Sequence, residues 1–194
     1  MKINQVRIIG GQWRRRLVRF PDAPALRPTP DRLRETLFNW LGQDLTGQVC
    51  LDLFAGSGAL GFEAASRGAA QVVMVEHNAA VYRALRQTQT ALGAGQIEVH
   101  RDDALRFLQR DKRRYDLIFL DPPFHLGWLP RLLPVLPARL QPGARVYLEA
   151  AELPLLPEGC ILLRQARVGQ VHAVLIKCEN HDDPHQQGGL PGNV

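Results

Sequence analysis

The sequence lacks several features that would assign a chain to a class of protein at once. Its 194 residues include only three cysteines, which are too few and too scattered for a zinc or redox CxxC motif or for a disulfide framework. No apolar run approaches the roughly 18 residues needed to cross a bilayer, and the polar start is unlike a secretory signal. No set of His, Cys, Asp or Glu has metal-ligand spacing. We therefore expect a soluble, cytoplasmic protein with reduced cysteines, no bound metal and no membrane partner.

The composition is that of an ordinary globular domain, but basic residues are concentrated at its start. Hydrophobic residues make up 45% and charged residues 22% of the chain, and the length fits one domain with a sizeable core. Up to Thr36, nine basic residues face three acidic ones, a net charge of +6, whereas the remaining residues sum to −1. A solvated basic face is one interpretation of this segment. Because eight of the nine are arginines, whose guanidinium groups suit phosphates, the pattern favours a nucleic-acid partner.

The first 45 residues carry the pattern of a hairpin followed by a helix. Residues 5–20 read as two short strands around Gly10-Gly11, and a proline-rich connector covers residues 21–30. Thr29 has the character of a helix N-cap and Pro30 that of a first helical residue. The expected helix buries one face, formed by Leu33, Leu37, Trp40 and Leu41.

From residue 49 the pattern changes to alternating strands and helices, with no internal repeat. Strands are expected at 49–54, 72–76, 97–100 and 115–121, with helices between them that start at Ala59, Asn78 and Asp103. Such alternation predicts an α/β fold with a doubly wound, mostly parallel sheet. After a proline-interrupted helix near 128–138 come a strand at 145–150 and an antiparallel edge hairpin over 161–178, hinged at Gly169-Gln170. Residues 180–194 lack apolar periodicity and are expected to form a flexible tail.

A glycine-rich loop follows the first of these strands. Gly56-x-Gly58-x-x-Gly61 lets the backbone turn tightly and approach a ligand, although a tight turn without a ligand and a dinucleotide site share this spacing. Asp52 ends the strand just before the loop, Glu76 closes the next strand where a ribose would lie, and Asp103 follows the third. Three acids without a basic phosphate clamp describe a cationic nucleoside, and S-adenosylmethionine is one.

The fourth strand ends in the motif Asp121-Pro122-Pro123-Phe124. The prolines make this turn rigid, which leaves a carboxylate, the Pro122 carbonyl and an aromatic ring facing outward. A planar exocyclic amino group on a nucleic-acid base offers two N–H donors and a π-face, so it is complementary to these groups. Accepting both protons frees the nitrogen lone pair to attack a sulfonium methyl, with positioning and electrostatics as the main sources of catalysis. A strand-ending turn with Phe124 in the core is the structural alternative.

These motifs resemble those of a known family. DLFAGSGALG, VEHN, DDAL and DPPF occur in the order found in class I S-adenosylmethionine-dependent methyltransferases, which have a Rossmann-like fold. The N-terminal segments RIIGGQWRRRLVRF and LRPTPDRLRETLFNWL are similar to those of the bacterial 16S ribosomal RNA guanine-N2 methyltransferases that act on the head of the small subunit. The resemblance covers roughly residues 5–178, nearly the whole chain.

The resemblance implies a role for each motif. The target guanine would be held by Asp121, Pro122 and Phe124. The S-adenosylmethionine cofactor would be held by Asp52, Ala55, Gly56, Gly58, Glu76, Asp103 and Ala104. The RNA would be contacted by the basic N-terminal extension, through Arg7, Arg14, Arg15, Arg16, Arg27 and Arg32. The expected partner is 16S rRNA within the small (30S) subunit, bound by a monomer.

The expected organisation has three parts: a basic hairpin and lead helix over 1–45, a methyltransferase domain over 46–179, and the tail over 180–194. Three other functions remain open on the residues alone. The DPPF motif suits any exocyclic amine, so an adenine-N6 methyltransferase on DNA or RNA is one of them. The glycine spacing alone suggests an NAD-dependent dehydrogenase, against which Asp52 and DPPF argue. A non-catalytic RNA-binding factor on a methyltransferase fold is the third.

Overall fold

The computed structural model describes residues 3–23, 26, 29–156 and 158–179, apart from the side chain of His125. The candidate RNA contact Arg27 and the expected tail over 180–194 lie outside these residues. In the part of the chain that is described, no helix combines the length and the apolar character that a membrane span requires. The same part holds no group of three or more His, Cys, Asp or Glu that could bind a metal ion.

The N-terminal extension is an antiparallel hairpin of strand β1 (Ile3–Arg7) and strand β2 (Leu17–Pro21), which confirms the two predicted strands. The connection is a longer loop than a turn at Gly10-Gly11. It is longer because its backbone packs against a helix of the main domain, where Gly11 has a φ of +73° and an added Cβ would lie 1.8 Å from the Ser66 carbonyl oxygen. Only glycine permits this approach.

The main domain is built on a seven-stranded sheet in the order β5-β4-β3-β6-β7-β9-β8. Strands β3 to β7 are parallel, and the hairpin of β8 and β9 adds an antiparallel edge. This arrangement confirms the predicted mixed sheet, including the hinge at Gly169-Gln170. The strands are β3 (Val49–Asp52), β4 (Gln71–Val75), β5 (Ile97–His100), β6 (Tyr115–Leu120), β7 (Leu140–Ala150), β8 (Cys160–Val168) and β9 (Val171–Cys178).

Helices cover both faces of the sheet, as expected for a doubly wound fold. One face packs against the N-terminal hairpin and helices α1, α2 and α3, and the other packs against α4 and α5. Helix α5 is short because Pro134 follows its end, and the chain continues into a single 3₁₀ turn before β7. The helices are α1 (Asp31–Leu41), α2 (Ala59–Ser66), α3 (Ala79–Leu92), α4 (Ala104–Arg110) and α5 (Leu129–Leu132), with 3₁₀ turns at Phe124–Leu126 and Pro137–Arg139.

Two local predictions were wrong because tertiary contacts decide them. Thr29 does not cap α1, which begins at Asp31 without a side-chain cap; the Thr29 hydroxyl instead points to the end of the sheet. The expectation that all cysteines are reduced fails for Cys160 and Cys178, which form a disulfide. They lie opposite each other in the β8–β9 pairing, with Cα atoms 4.0 Å apart. The spacing of the cysteines along the chain does not reveal this register. Cys50 is buried and free, as predicted.

Candidate active site

The glycine loop is held against the end of β3 by a buried carboxylate. Asp52 is 2% exposed, and its Oδ2 accepts a hydrogen bond of 3.0 Å from the Gly61 backbone N–H at the start of α2. Burial is the main reason why the pKa of Asp52 is raised to about 7, and the charge of Glu76 adds to the rise. A cation bound beside this carboxyl would therefore favour its ionised form.

Gly58 shows why the loop needs glycine. Its φ is +80°, and a Cβ added there would come within 2.6 Å of Phe62 and Leu85 in the packed interior. We expect the backbone strain of Gly58→Ala to lower the free energy of unfolding by about 1–3 kcal/mol. Because the loop must move to relieve this strain, we also expect S-adenosylmethionine affinity to fall at least about tenfold. Isothermal titration calorimetry measures the loss of affinity. Gly95→Ala, at an ordinary φ with open space around it, is the matched control, and equal affinities for the two variants would contradict the prediction.

Glu76 ties two loops together at the end of β4. Its side chain is 8% exposed; Oε2 accepts a hydrogen bond of 3.0 Å from the Gly56 N–H, and Oε1 accepts one of 2.6 Å from the Asn78 N–H at the start of α3. The carboxylate is thus fixed beside the glycine loop, the position expected of a ribose-binding residue. Asn78 caps α3 as predicted, accepting from the Ala80 N–H at 2.9 Å.

Asp103 and Ala104 lie at the start of α4, after β5. Asp103 is the N-cap of this helix, and its Oδ1 accepts a hydrogen bond of 3.0 Å from the Arg106 N–H. The preceding Asp102 forms ion pairs with Arg106 and Arg110. These contacts fix the loop that follows the third parallel strand at the same sheet edge as Asp52 and Glu76, while the adenine contact stays a prediction.

Asp121, Pro122 and Phe124 follow β6, at the centre of the same edge. Asp121 is partly buried, Pro122 is buried, and Phe124 is 38% exposed at the start of a 3₁₀ turn. The core placement of Phe124 is therefore not observed. The pKa of Asp121 is raised well above its usual range, first by burial and then by the nearby charges of Glu149 and Asp52.

Two residues beside Asp121 were missed by the sequence reasoning. Thr29 Oγ1 donates a long hydrogen bond of 3.5 Å to Asp121 Oδ2. Glu149 is 4% exposed at the end of β7, the strand that pairs in parallel with β6 so that Leu120 lies opposite Leu148. That pairing places Glu149 beside Asp121. The signal was available in the sequence, since parallel neighbours end at one sheet edge and the predicted strand 145–150 contained this glutamate.

The basic N-terminal extension divides into exposed and buried arginines. The candidate RNA contacts Arg7, Arg14, Arg15, Arg16 and Arg32 are exposed. Arg34, which contributes to the +6 charge, is fully buried instead, 3.5 Å from the equally buried Glu63 of α2, and its Nε donates to the Thr29 carbonyl at 3.3 Å. One positive charge of the segment is therefore buried beside a carboxylate and is not exposed for RNA binding.

Glu63 joins the N-terminal extension to the main domain. Its carboxylate accepts hydrogen bonds from the backbone N–H groups of Ile9 and Gly10 at 2.8 and 2.7 Å, and from Arg67 Nε at 2.8 Å. With the Arg34 contact, the hairpin, α1 and α2 meet at one buried charge. No feature of the sequence marked Glu63, because a single acid within an apolar helix gives no pattern.

The site is suited to a nucleoside that carries positive charge and no phosphate. Carboxylates follow β3, β4 and β6 at one edge of the sheet, and within the described ranges no lysine or arginine forms an ion pair with Asp52, Glu76 or Asp121. His77, which is exposed, contacts Glu76 at 3.2 Å. A pyrophosphate would meet negative charge here that no lysine or arginine of the described residues pairs with. A sulfonium and two ribose hydroxyls match these acceptors, so the residues present fit S-adenosylmethionine.

Known structures share this architecture. A putative methyltransferase from Escherichia coli, yhhF, superposes with a TM-score of 0.83 at 42% identity, covering 91% of this chain and 99% of that one. A Thermus thermophilus 16S rRNA N2 methyltransferase, solved in complex with AdoMet and guanosine, matches with a TM-score of 0.68 at 25% identity, covering 92% of this chain and 50% of that one. The fold and the site thus define a Rossmann-like class I methyltransferase.

The sequence comparisons identify the family. Ribosomal RNA small subunit methyltransferase D of Escherichia coli K12 is 44% identical over 172 residues, covering 86% of this chain and 87% of the relative. The protein of the same name from Haemophilus influenzae is 40% identical, covering 86% and 91%. Residues 6–177 match the family described as Conserved hypothetical protein 95. The chain belongs to that family.

Proposed function

We propose that this enzyme transfers a methyl group from S-adenosylmethionine to the exocyclic N2 of a guanine in 16S rRNA. The observation that carries the proposal is the rigid Asp121-Pro122-Pro123-Phe124 turn at the same sheet edge as Asp52 and Glu76. Acceptors for an amino group thereby lie beside acceptors for a cationic nucleoside. The names of the relatives, which include small-subunit rRNA methyltransferases and a 16S rRNA N2 methyltransferase, support this substrate.

The residues of the site form two groups, one that binds the cofactor and one that binds the target base. S-adenosylmethionine, when bound by Asp52, Ala55, Gly56, Gly58, Glu76, Asp103 and Ala104, supplies an electrophilic methyl group on a positively charged sulfur. The Asp121 carboxylate and the Pro122 carbonyl accept the two N–H groups of the amine, and Phe124 stacks on the base. These contacts orient the nitrogen lone pair toward the cofactor. The base must leave its stack to reach them, so the substrate is an extruded or unpaired guanine.

The N-terminal extension over 1–45 positions the RNA for the domain over 46–179, and it does so through phosphates rather than base edges. Exposed arginines surround the hairpin loop, and the buried Glu63 contacts hold that loop against the cofactor-binding domain. The proposed partner is the small (30S) ribosomal subunit, which the enzyme binds as a monomer in the cytoplasm.

Removing charge from the loop tests this role. The double variant Arg14→Gln with Arg16→Gln is expected to bind rRNA more weakly. The negative slope of log affinity against log salt concentration should become shallower by about 1.5, because each lost phosphate contact removes about 0.7–0.9 from its magnitude. Arg15 is left intact because its φ of +72° makes the site structurally sensitive. The control is Arg164→Gln with Arg167→Gln, which removes two exposed arginines from edge strand β8. Equal slopes for both variants would show that the N-terminal extension does not contact the RNA phosphates as proposed.

The proposed reaction is tested with labelled S-adenosylmethionine on undermethylated small subunits, with naked 16S rRNA alongside, followed by nucleoside analysis. Label in N2-methylguanosine is the expected result, with more on the subunit than on naked rRNA. Label in N6-methyladenosine would replace the proposal with the adenine alternative. No transfer to either substrate, despite measurable cofactor binding, would exclude both.

A further inference from the structure

A second carboxyl group adjoins Asp121, and the motifs do not include it. Parallel pairing of β6 with β7 aligns Leu120 with Leu148, so the next residues, Asp121 and Glu149, are neighbours at the sheet edge. Glu149 is 4% exposed. Both side chains lie on the face that packs against α1, since Phe119 and Tyr147, two residues earlier in each strand, belong to the core on that face.

Hydroxyl groups from two elements contact this pair. Tyr147 OH donates a hydrogen bond of 2.9 Å to Glu149 Oε1. Thr29 Oγ1 donates to Asp121 Oδ2 at 3.5 Å, and the same hydroxyl lowers the pKa of Glu149. The backbone of Thr29 is held in place, because buried Arg34 donates a hydrogen bond of 3.3 Å to its carbonyl oxygen. The hydroxyl is therefore held beside the pair by a contact within the N-terminal extension.

The charges around the pair are negative. The carboxyl of Asp52 at the end of β3 lies near Asp121, and Tyr147 is a neutral donor to Glu149. In the part of the chain that the structure describes, no lysine or arginine forms an ion pair with Asp121 or Glu149. Glu149 is buried and Asp121 is partly buried. Two like charges placed together in such surroundings without a compensating cation are disfavoured, and a common outcome is one shared proton.

We propose that Glu149 is a positioning residue that shares one proton with Asp121, beside the Thr29 hydroxyl, and thereby controls when Asp121 can accept the amine of the target base. The inference rests on the proposed function for the reaction that it serves. The pair itself is a property of the folded chain, which can be measured without RNA.

The direction of sharing follows from the donors. Burial raises the pKa of both groups, and hydrogen bonds from Tyr147 and Thr29 oppose this rise at Glu149. The pKa of Asp121 is raised further by the charge of Glu149. The Tyr147 donor therefore favours the negative charge on Glu149 and the proton on Asp121.

When the pair has lost its shared proton to solvent, Asp121 can take up the proton that the reaction releases. Attack of the nitrogen lone pair on the methyl group would form the new N–C bond as the bond from that methyl group to the cofactor sulfur breaks with its electron pair going to sulfur. The amine nitrogen is then left with a positive charge and one proton in excess. That proton passes to the ionised Asp121 carboxylate while its bonding electron pair stays on the nitrogen. The pair then holds one proton again, which is its starting state, and this proton must leave to solvent before the next turnover.

The first test measures the pair directly in the full-length, cofactor-free protein. Carboxyl ¹³C NMR titration of Asp121, assigned by its loss in Asp121→Asn, is expected to give a lower midpoint in Glu149→Gln because the neighbouring charge is gone. Thr29→Val is expected to raise the midpoint because a donor to the ionised form is gone. The control Glu152→Gln removes an exposed carboxyl two residues beyond Ala150 and should leave the midpoint unchanged. An unchanged or higher midpoint in Glu149→Gln would overturn the proposal.

The second test measures methyl transfer against pH. Because Asp121 must be ionised to accept the amine, the wild-type rate is expected to rise with pH, and the acid limb is expected to move to lower pH in Glu149→Gln. The ratio of variant to wild-type rate should therefore grow as the pH falls, a change that a merely structural defect does not produce. Superimposable profiles would overturn the role of Glu149 and leave the reaction intact. Failure of the wild type to methylate guanine would instead refute the proposed function, while the NMR titration still decides the pair.

Discussion

Asp121→Asn is expected to lower the rate of methyl transfer by roughly a thousandfold while leaving S-adenosylmethionine affinity within about threefold. Asparagine keeps the shape of the side chain and one acceptor oxygen. It removes the negative charge that stabilises the developing positive charge on the amine, and it removes the acceptor for the released proton. Single-turnover assays on small subunits measure the rate, and calorimetry measures the affinity.

The matched control for this prediction is Asp44→Asn. Asp44 is exposed and lies before β3, at the opposite end of the strand from Asp52, so its loss should leave the rate unchanged. A rate for Asp121→Asn close to that of the wild type would remove Asp121 from the chemistry. A parallel loss of rate and of cofactor affinity would instead show that Asp121 holds the cofactor rather than the base.

Glu63→Gln is expected to lower the free energy of unfolding by about 3–5 kcal/mol, the range for breaking a buried ion pair by removal of one partner. Glu63 and Arg34 are both fully buried, and the carboxylate also contacts Arg67 and two backbone N–H groups of the hairpin loop. The amide replaces one acceptor oxygen with a donor, so buried Arg67 loses its charge partner and buried Arg34 keeps only that of the exposed Asp31. Urea denaturation measures the loss.

Glu98→Gln separates this effect from the general loss of a carboxylate. Glu98 also contacts an arginine, Arg113 at 2.8 Å, but its side chain is 45% exposed. Pairs that remain in contact with water contribute at most about 1 kcal/mol, and the control should lose no more than that. If the two variants were equally stable, the buried junction would have no special role in holding the extension to the domain.

Much of the candidate site could be predicted because its residues are neighbours along the chain. Asp52 stands directly before its glycine loop, and Asp121 directly before its prolines, so the short motif already fixes which groups lie together. Glu76 needed one further step, namely that parallel strands end at a common edge. The same local logic predicted the Asn78 cap and the break near Pro134, where backbone chemistry decides.

The rest depends on contacts between distant parts of the chain. Thr29 has the character of a helix cap, yet its hydroxyl reaches Asp121, 92 residues away. Arg34 counts as one more positive charge in the extension, yet a carboxylate on another helix pairs with it in the interior. Cys160 and Cys178 bond because β8 and β9 align them.

The sequence by itself determined the α/β class, the order of the strands and helices, and the acids at the strand ends, because hydrophobic periodicity and turn chemistry act over a few residues. Only the tertiary structure decided which acids and arginines became buried, that Glu149 lies beside Asp121, and that the basic hairpin is anchored through Glu63. Burial and pairing of charge depend on what packs around a residue in space, and that environment is created only when the two faces of the sheet are covered.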